Sequence, residues 1–169
     1  MGNGYCFQCG SELSVTWIED RPRQVCPVCG WVYYPQLKVS AAGLVEKDGK
    51  ILLVRRKQEP WAGYWYLPAG YVEADEDPAR AAGRELFEET GVRADPDELF
   101  GLYYFDDDPR GNGLLIVYRC QYQDGEPSAS TETEQGEFFA ADALPAALAG
   151  AGQERALADW LISHRQSLR

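Results

Sequence analysis

At 169 residues and 45% hydrophobic, the chain is long enough to bury one full core and carry a small appendage. Sixteen Lys and Arg against 27 Asp and Glu leave a net charge of −11, which argues against a nucleic-acid partner, since binding to phosphate backbones relies on basic side chains. No apolar run approaches a membrane span and the N-terminus lacks the charged-then-apolar layout of a signal peptide. The expectation is a soluble, cytoplasmic protein with no membrane partner.

The chain begins with two Cys-x-x-Cys knuckles, Cys6-Phe7-Gln8-Cys9-Gly10 and Cys26-Pro27-Val28-Cys29-Gly30, separated by 16 residues. This is zinc-ribbon spacing. Four thiolates from Cys6, Cys9, Cys26 and Cys29 make a closed tetrahedral site with no open position, so the zinc would be structural. A redox Cys-x-x-Cys is the rival reading, but redox motifs rarely come as two matched pairs in a segment too short to build its own core. Trp31, Tyr33, Tyr34 and Pro35 follow, and a domain boundary is expected between Pro35 and Lys38. That makes residues 1–35 a zinc-ribbon arm and residues 36–169 the main domain.

Val39 to Val45 is small and β-branched, Lys47-Asp48-Gly49-Lys50 reads as a hairpin turn, and Ile51 to Arg55 reads as a strong strand. Arg55, Arg56 and Lys57 form a rare basic cluster in so acidic a chain. Arg55 and Arg56 are candidates for a phosphate or ribose contact, with ordinary edge-strand charges as the alternative. Trp61 and Tyr64 are candidates to stack on a flat ring of a ligand, though packing explains them equally well.

Asp77 suits a helix N-cap, Pro78 the first helical position and Gly91 a left-handed C-terminal cap, so a helix is predicted from Pro78 to Thr90. Ala79, Ala82, Gly83, Leu86 and Thr90 form a small-residue face suited to packing on a sheet. Glu85, Glu88 and Glu89 fall on a different stripe. Like charges at i, i+3 and i+4 destabilise a helix by roughly 0.2–0.5 kcal/mol per pair. Arg84 can reach Glu88, but one guanidinium does not neutralise Glu76, Glu85, Glu88 and Glu89 together. A hard divalent cation such as Mg²⁺ or Mn²⁺ would, the alternative being a solvated acidic face.

Leu99 to Phe105 and Leu114 to Tyr122 read as a hairpin around a polar loop whose Asp106, Asp107 and Asp108 are expected to be a solvated tip. Cys120 reads as a buried apolar residue. Glu132, Glu134 and Glu137 precede the paired Phe138 and Phe139. Ala156, Leu157, Trp160 and Leu161 predict a closing helix from Gln153 to His164, with His164 on the surface.

Gly70, Glu76, Arg84, Glu85, Leu86, Glu88, Glu89, Gly91 and Val92 stand at the spacing G-x5-E-x7-R-E-U-x-E-E-x-G-U, where U is aliphatic. The stretch thereby resembles the Nudix box at every specified position. Gly63, Trp65, Leu67, Pro68 and Gly70 are similar to the family's approach to that box, with Ala69 where many members carry a second glycine. The resemblance implies an α/β protein, a Nudix α/β/α sandwich with a mixed sheet preceded by the small zinc-ribbon arm. It also implies a hydrolase that cleaves the diphosphate of a nucleoside diphosphate linked to another moiety.

Carried over position by position, the resemblance has Glu85, Glu88 and Glu89, with the Gly70 carbonyl, bind Mg²⁺ or Mn²⁺. Glu85, Glu88 or a glutamate near Glu134, for which Glu132, Glu134 and Glu137 are all candidates, would be the base, Arg84 would orient Glu85, and Glu76 would stabilise the loop or an outer shell. Bound cations would explain how so acidic a protein holds an anionic small-molecule nucleotide. The zinc ribbon is shared with two subgroups, FAD and ADP-ribose pyrophosphatases and NADH pyrophosphatases. Pro109 falls near where ADP-ribose pyrophosphatases carry a proline, and the Ser-Gln-Pro-Trp-Pro-Phe-Pro signature of the NADH enzymes is missing between Asp95 and Asp108. ADP-ribose or FAD therefore ranks above NADH or NAD, and a non-catalytic nucleotide sensor is the alternative of another class. Many relatives form dimers, so a homodimer is among the assemblies the resemblance allows.

Overall fold

The computed structural model describes residues 4–167. The chain divides between Gln36 and Leu37 into two compact units.

The first unit is a three-stranded antiparallel sheet of β1 (Ser14–Ile18), β2 (Arg21–Val25) and β3 (Val32–Tyr33), in that order. Its two knuckles make the same turn. The Gly10 amide donates to the Cys6 carbonyl at 2.8 Å and the Gly30 amide to the Cys26 carbonyl at 3.0 Å. Both glycines take φ near 75°, at 73° and 76°, a left-handed conformation that other residues hold only at a cost. Cys6, Leu13 and Cys26, with Trp31 against them, make up its buried cluster. So small a core needs a further cross-link.

The second unit contains β4 (Lys38–Lys47), β5 (Lys50–Arg56), β6 (Trp65–Tyr66), β7 (Ala69–Tyr71), α1 (Pro78–Thr90), β8 (Arg93–Phe105), β9 (Gly113–Asp124), β10 (Thr133–Ala140) and α2 (Gln153–Ser167). Its main sheet runs β10-β5-β4-β9-β8, mixed because β4 and β9 are parallel while the other neighbours are antiparallel. Alternation along the strands sorts the core into two layers. Leu44, Ile51, Leu53, Leu115 and Val117 pack with Ala156, Leu157 and Trp160 of α2. Val45, Leu52, Ala94 and Cys120 pack with Leu86 of α1 and Val92. The result is the expected α/β/α sandwich.

Asp48 and Gly49, both at positive φ, turn β4 into β5, and the two strands pair only at Glu46–Ile51 and Lys47–Lys50. Beyond that they part, and the chain from Trp65 to Tyr71 fills the split. β6 pairs with β5 through Val54–Tyr66 and Arg55–Trp65, while β7 pairs with β4 through Ser40–Tyr71, Ala41–Gly70 and Ala42–Ala69. Buried Gln153 pins the bend between them, its side-chain oxygen accepting from the Leu67 amide at 3.1 Å. The split is what delivers Gly70 to the start of α1.

Three expectations are corrected. The buried face of α1 is Ala81, Ala82, Leu86, Glu89 and Thr90, with Ala79 and Gly83 only half-buried, so Glu89 lies on the packed side rather than on an outer acidic stripe. Of the three aspartates of the β8–β9 loop, Asp106 and Asp107 are exposed as expected, Asp107 accepting from the Ala151 amide at 3.1 Å, but Asp108 is buried rather than solvated. His164 is half-buried against Trp160, with ring centroids 5.1 Å apart, and its Nδ1 lies 3.2 Å from Glu46 Oε1.

Candidate active site

The site starts from a glycine. A Cβ on Gly70 would stand less than 3.0 Å from all three carboxylate atoms of Glu85, so only a residue without a side chain lets α1 bring Glu85 this close to β7. α1 is positioned at its start by Asp77, whose side chain accepts from the Ala79 amide at 2.9 Å, and at its end by Gly91 at φ 73°.

A helix advances 100° per residue, so Glu88 and Glu89 diverge and Glu85 falls between them. Glu88 is exposed, Glu85 half-buried, and Glu89 only 3% exposed. Both oxygens of Glu89 are engaged: Oε1 accepts from the Tyr66 hydroxyl at 2.6 Å and Oε2 from the Ala69 amide at 2.9 Å. Burial nevertheless pushes its carboxyl up to about 8, with the hydrogen bonds opposing and Glu85 and Glu132 adding to the rise. Burial likewise holds the Tyr66 hydroxyl above the ordinary phenol range, so tyrosine is the donor of this pair. Glu85 is also raised, since burial outweighs its ion pair with Arg84.

Arg84 is the hub of the outer face. Its Nε and Nη2 grip the two oxygens of Glu76 at 2.9 and 2.8 Å, a fork that only arginine offers, and Nη1 reaches Glu85 at 2.7 Å and Glu88 at 3.1 Å. Hydrogen bonds from Arg84 hold Glu76 below the usual carboxylate range.

A cavity of about 250 Å³ opens beside Gly70 and Glu85. Arg56, Trp61, Glu132, Phe105, Asp108 and Arg110 are among the side chains that line it. Of the residues singled out in the sequence, Gly70, Glu85, Arg56 and Trp61 reach this wall, whereas Arg55, Tyr64, Arg84, Glu88, Glu89 and Glu134 do not. Neighbouring residues of a strand point to opposite faces, so Arg55 and Arg56 part company. Arg55 donates to the Gly63 carbonyl at 3.0 Å and pairs with Glu134 at 3.3 Å. Glu134 is the extra residue of a β-bulge, since Thr133 faces Arg56 and Gln135 faces Arg55. The bulge turns Glu134 aside, and Glu132 is the late glutamate on the cavity wall. Arg56 donates through Nε to the Gln58 and Pro60 carbonyls at 3.0 Å each, and its guanidinium lies 5.6 Å over the Tyr66 ring.

Arg110 was not among the sequence candidates. Its Nε and Nη2 bond the buried Asp108 carboxylate at 3.0 and 2.6 Å, and Asp108, though burial alone would raise it, is held below its ordinary value by these bonds. Nothing local in the sequence marks Arg110, Asp108 or Phe105 as neighbours of Gly70; they arrive through the parallel pairing of β4 with β9.

Two metals can be tested against these donors. The four cysteine sulfurs lie within 4.8 Å of one another, with Cys6–Cys29 and Cys9–Cys26 at 3.5 Å. A tetrahedron of Zn–S bonds of ~2.3 Å needs sulfurs ~3.8 Å apart, so the thiol set fits zinc. Glu85, Glu88 and Glu89 form no such preassembled cluster among the described residues. Their fit to a cation rests on the chemistry of the donors: hard carboxylate oxygens, two of them destabilised as anions by burial and by one another, beside a backbone kept open at Gly70.

Residues 35–161 match the family model described as NUDIX domain, and residues 4–35 the one described as Nudix N-terminal. The chain is 41% identical over 108 residues to an ADP-ribose pyrophosphatase of Methanocaldococcus jannaschii, a match covering 63% of this chain and 64% of that one. It is 31% identical over 165 residues to an NAD-capped RNA hydrolase NudC of Pseudomonas aeruginosa, covering 96% of this chain and 57% of the relative. The chain thus spans less than two thirds of the length of both. A NUDIX hydrolase structure from Nitrosomonas europaea superposes with a TM-score of 0.85 at 27% identity, covering 96% of this chain and 92% of that one.

Proposed function

The chain belongs to the NUDIX domain family, and on that premise we propose that it is a divalent-metal-dependent pyrophosphohydrolase acting on a nucleoside diphosphate linked to another moiety, with ADP-ribose as the substrate and FAD as the next choice. The observation that carries this reading is the Glu85 carboxylate lying over Gly70, with Glu132 on the same cavity wall.

Mg²⁺ or Mn²⁺ held by Glu85, Glu88, Glu89 and the Gly70 carbonyl would activate a water and neutralise phosphate charge. The chain's own residues do the rest. Arg84, anchored on Glu76, keeps Glu85 in place. Glu132 replaces Glu134 as the late glutamate able to accept a proton from the attacking water, alongside Glu85 and Glu88 as candidate bases. Arg56, which has no carboxylate ion-pair partner among the described residues, and Arg110 offer guanidiniums to phosphate or ribose oxygens. Trp61 holds φ 66°, a strained conformation common at ligand sites, and presents an indole to the cavity for stacking.

The named function of the archaeal relative supports ADP-ribose. A second reading, hydrolysis of NADH, NAD or an NAD-capped RNA end, is favoured by the match to the NudC protein over nearly the whole chain. The missing downstream signature and the net charge of −11 weigh against it and against RNA as a partner. Structural zinc on Cys6, Cys9, Cys26 and Cys29 belongs to the same reading, as does a homodimer. None of the five cysteines is in a disulfide and no described helix is long and apolar enough to cross a membrane, in keeping with a cytoplasmic site of action.

The test is a panel of ADP-ribose, FAD, NADH and NAD-capped RNA incubated with Mg²⁺ or Mn²⁺, the products resolved by chromatography. ADP-ribose is expected to give AMP with the highest kcat/KM. Preference for NADH or the capped RNA would transfer the assignment to the second reading, and binding without turnover of any of them would point to a sensor.

A further inference from the structure

Tyr66 lies outside the nine box positions, yet it makes the shortest side-chain contact to a box carboxylate. Its hydroxyl donates to Glu89 Oε1 at 2.6 Å, with both residues 3% exposed. The ring is fixed by β6, where Tyr66 pairs with Val54 of β5, and the Arg56 guanidinium lies 5.6 Å from its centroid. Glu89 is held from two further directions. The Ala69 amide bonds Oε2 at 2.9 Å, and the Thr133 hydroxyl donates to the Glu89 backbone carbonyl at 2.8 Å.

An ionised carboxylate has about four lone-pair sites. Tyr66 and Ala69 take one on each oxygen, which leaves the remaining lone pairs for a cation beside Gly70, the residue after Ala69. Without the hydroxyl, Oε1 would be buried without its donor, and the carboxylate would be held through one oxygen only, by the Ala69 amide. A phenylalanine would fill the same volume, so packing alone does not call for the oxygen.

We infer that Tyr66 is a positioning residue: its hydroxyl holds Glu89 in the rotamer that binds the divalent cation, while its ring supports Arg56. The inference rests on the reading of Glu89 as a metal ligand. Outer hydrogen bonds to metal ligands are typically worth ~10–100-fold in metal affinity, and that is the effect expected here.

The experiment measures Mn²⁺ binding to the zinc-loaded, substrate-free protein by electron paramagnetic resonance, for wild type, Tyr66→Phe and Glu89→Gln, with ADP-ribose turnover followed in parallel. Tyr66→Phe is expected to weaken Mn²⁺ binding about tenfold or more, and to lower turnover at limiting Mn²⁺ with recovery at saturating Mn²⁺. Wild-type Mn²⁺ affinity in Tyr66→Phe, whatever happens to its melting temperature, would overturn the inference provided Glu89→Gln does weaken binding. If Glu89→Gln also binds Mn²⁺ like wild type, Glu89 is not a ligand and the parent reading fails with it. Should Tyr66→Phe not fold, 3-fluorotyrosine placed at Tyr66 alone preserves the packing. Its fluorine resonance is expected to shift as Mg²⁺ is added, and an unmoved resonance at saturating Mg²⁺ would contradict the inference.

Discussion

The Glu85 carboxylate occupies the space where a side chain on Gly70 would stand. One residue thus supplies an open backbone and the other the charge that fills it. Gly70→Ala cannot be accommodated without moving Glu85, which is tied to Arg84 at 2.7 Å. Misplacing a reacting group by an ångström can cost about 100-fold. Gly70→Ala is therefore expected to fold, to bind nucleotide, and to lose about two orders of magnitude in kcat, measured by steady-state release of AMP.

Arg84 serves three carboxylates at once, two of them half-buried. Arg84→Lys keeps the charge but cannot reproduce the two-pronged grip on Glu76. The expected outcome is a fall of about tenfold or more in kcat/KM and a lower melting temperature. Arg84→Gln should be worse on both counts, because it leaves Glu76, Glu85 and Glu88 facing one another unpaired. Comparing the two variants by calorimetry and kinetics checks this.

The raised carboxyl of Glu89 makes a signed prediction. Between its ordinary value of 4.5 and about 8, the folded protein holds a proton that the unfolded chain has lost. Stability should therefore fall as pH rises through that window when no divalent cation other than zinc is present. Glu85, also raised, acts in the same direction. Glu76 and Asp108, both lowered, have the opposite sign, but their contribution is complete above their ordinary values and is lost only as pH falls below them. Melting temperatures from pH 5 to pH 8 should decline without Mg²⁺, decline less with Mg²⁺, and decline less in Glu89→Gln.

The ribbon's buried cluster is two cysteines, Leu13 and a flanking tryptophan, so its order should depend on the metal. Cys26→Ser is expected to reduce bound zinc from about one per chain to none and to abolish amide protection in residues 4–35, with protection in β4, β5 and α1 retained. Zinc content by atomic emission and hydrogen exchange by mass spectrometry read both effects.

Features set by local chemistry were legible in the sequence. Asp77, Pro78 and Gly91 mark the limits of α1, Asp48-Gly49 marks the hairpin, and the two knuckles mark the ribbon. What escaped depends on tertiary placement. Periodicity put Glu89 with its acidic neighbours, but the 100° between Glu88 and Glu89 carries one to solvent and the other under Tyr66. The bulge that diverts Glu134 and brings Glu132 to the cavity leaves no mark on composition. Arg110 becomes a wall residue only because β9 pairs in parallel with β4, and Asp108, which looked like one of three solvated aspartates, is the buried carboxylate that holds it.

The most direct measurement is Mg²⁺-dependent release of AMP and ribose 5-phosphate from ADP-ribose by wild type and Glu88→Gln, with folding of both followed by circular dichroism. Glu88 is exposed, so its amide should leave the fold intact. Turnover by the wild type and a loss of about 100-fold or more in Glu88→Gln is the predicted result. Equal rates in the two proteins, or tight binding of ADP-ribose with no turnover by the wild type, would contradict it.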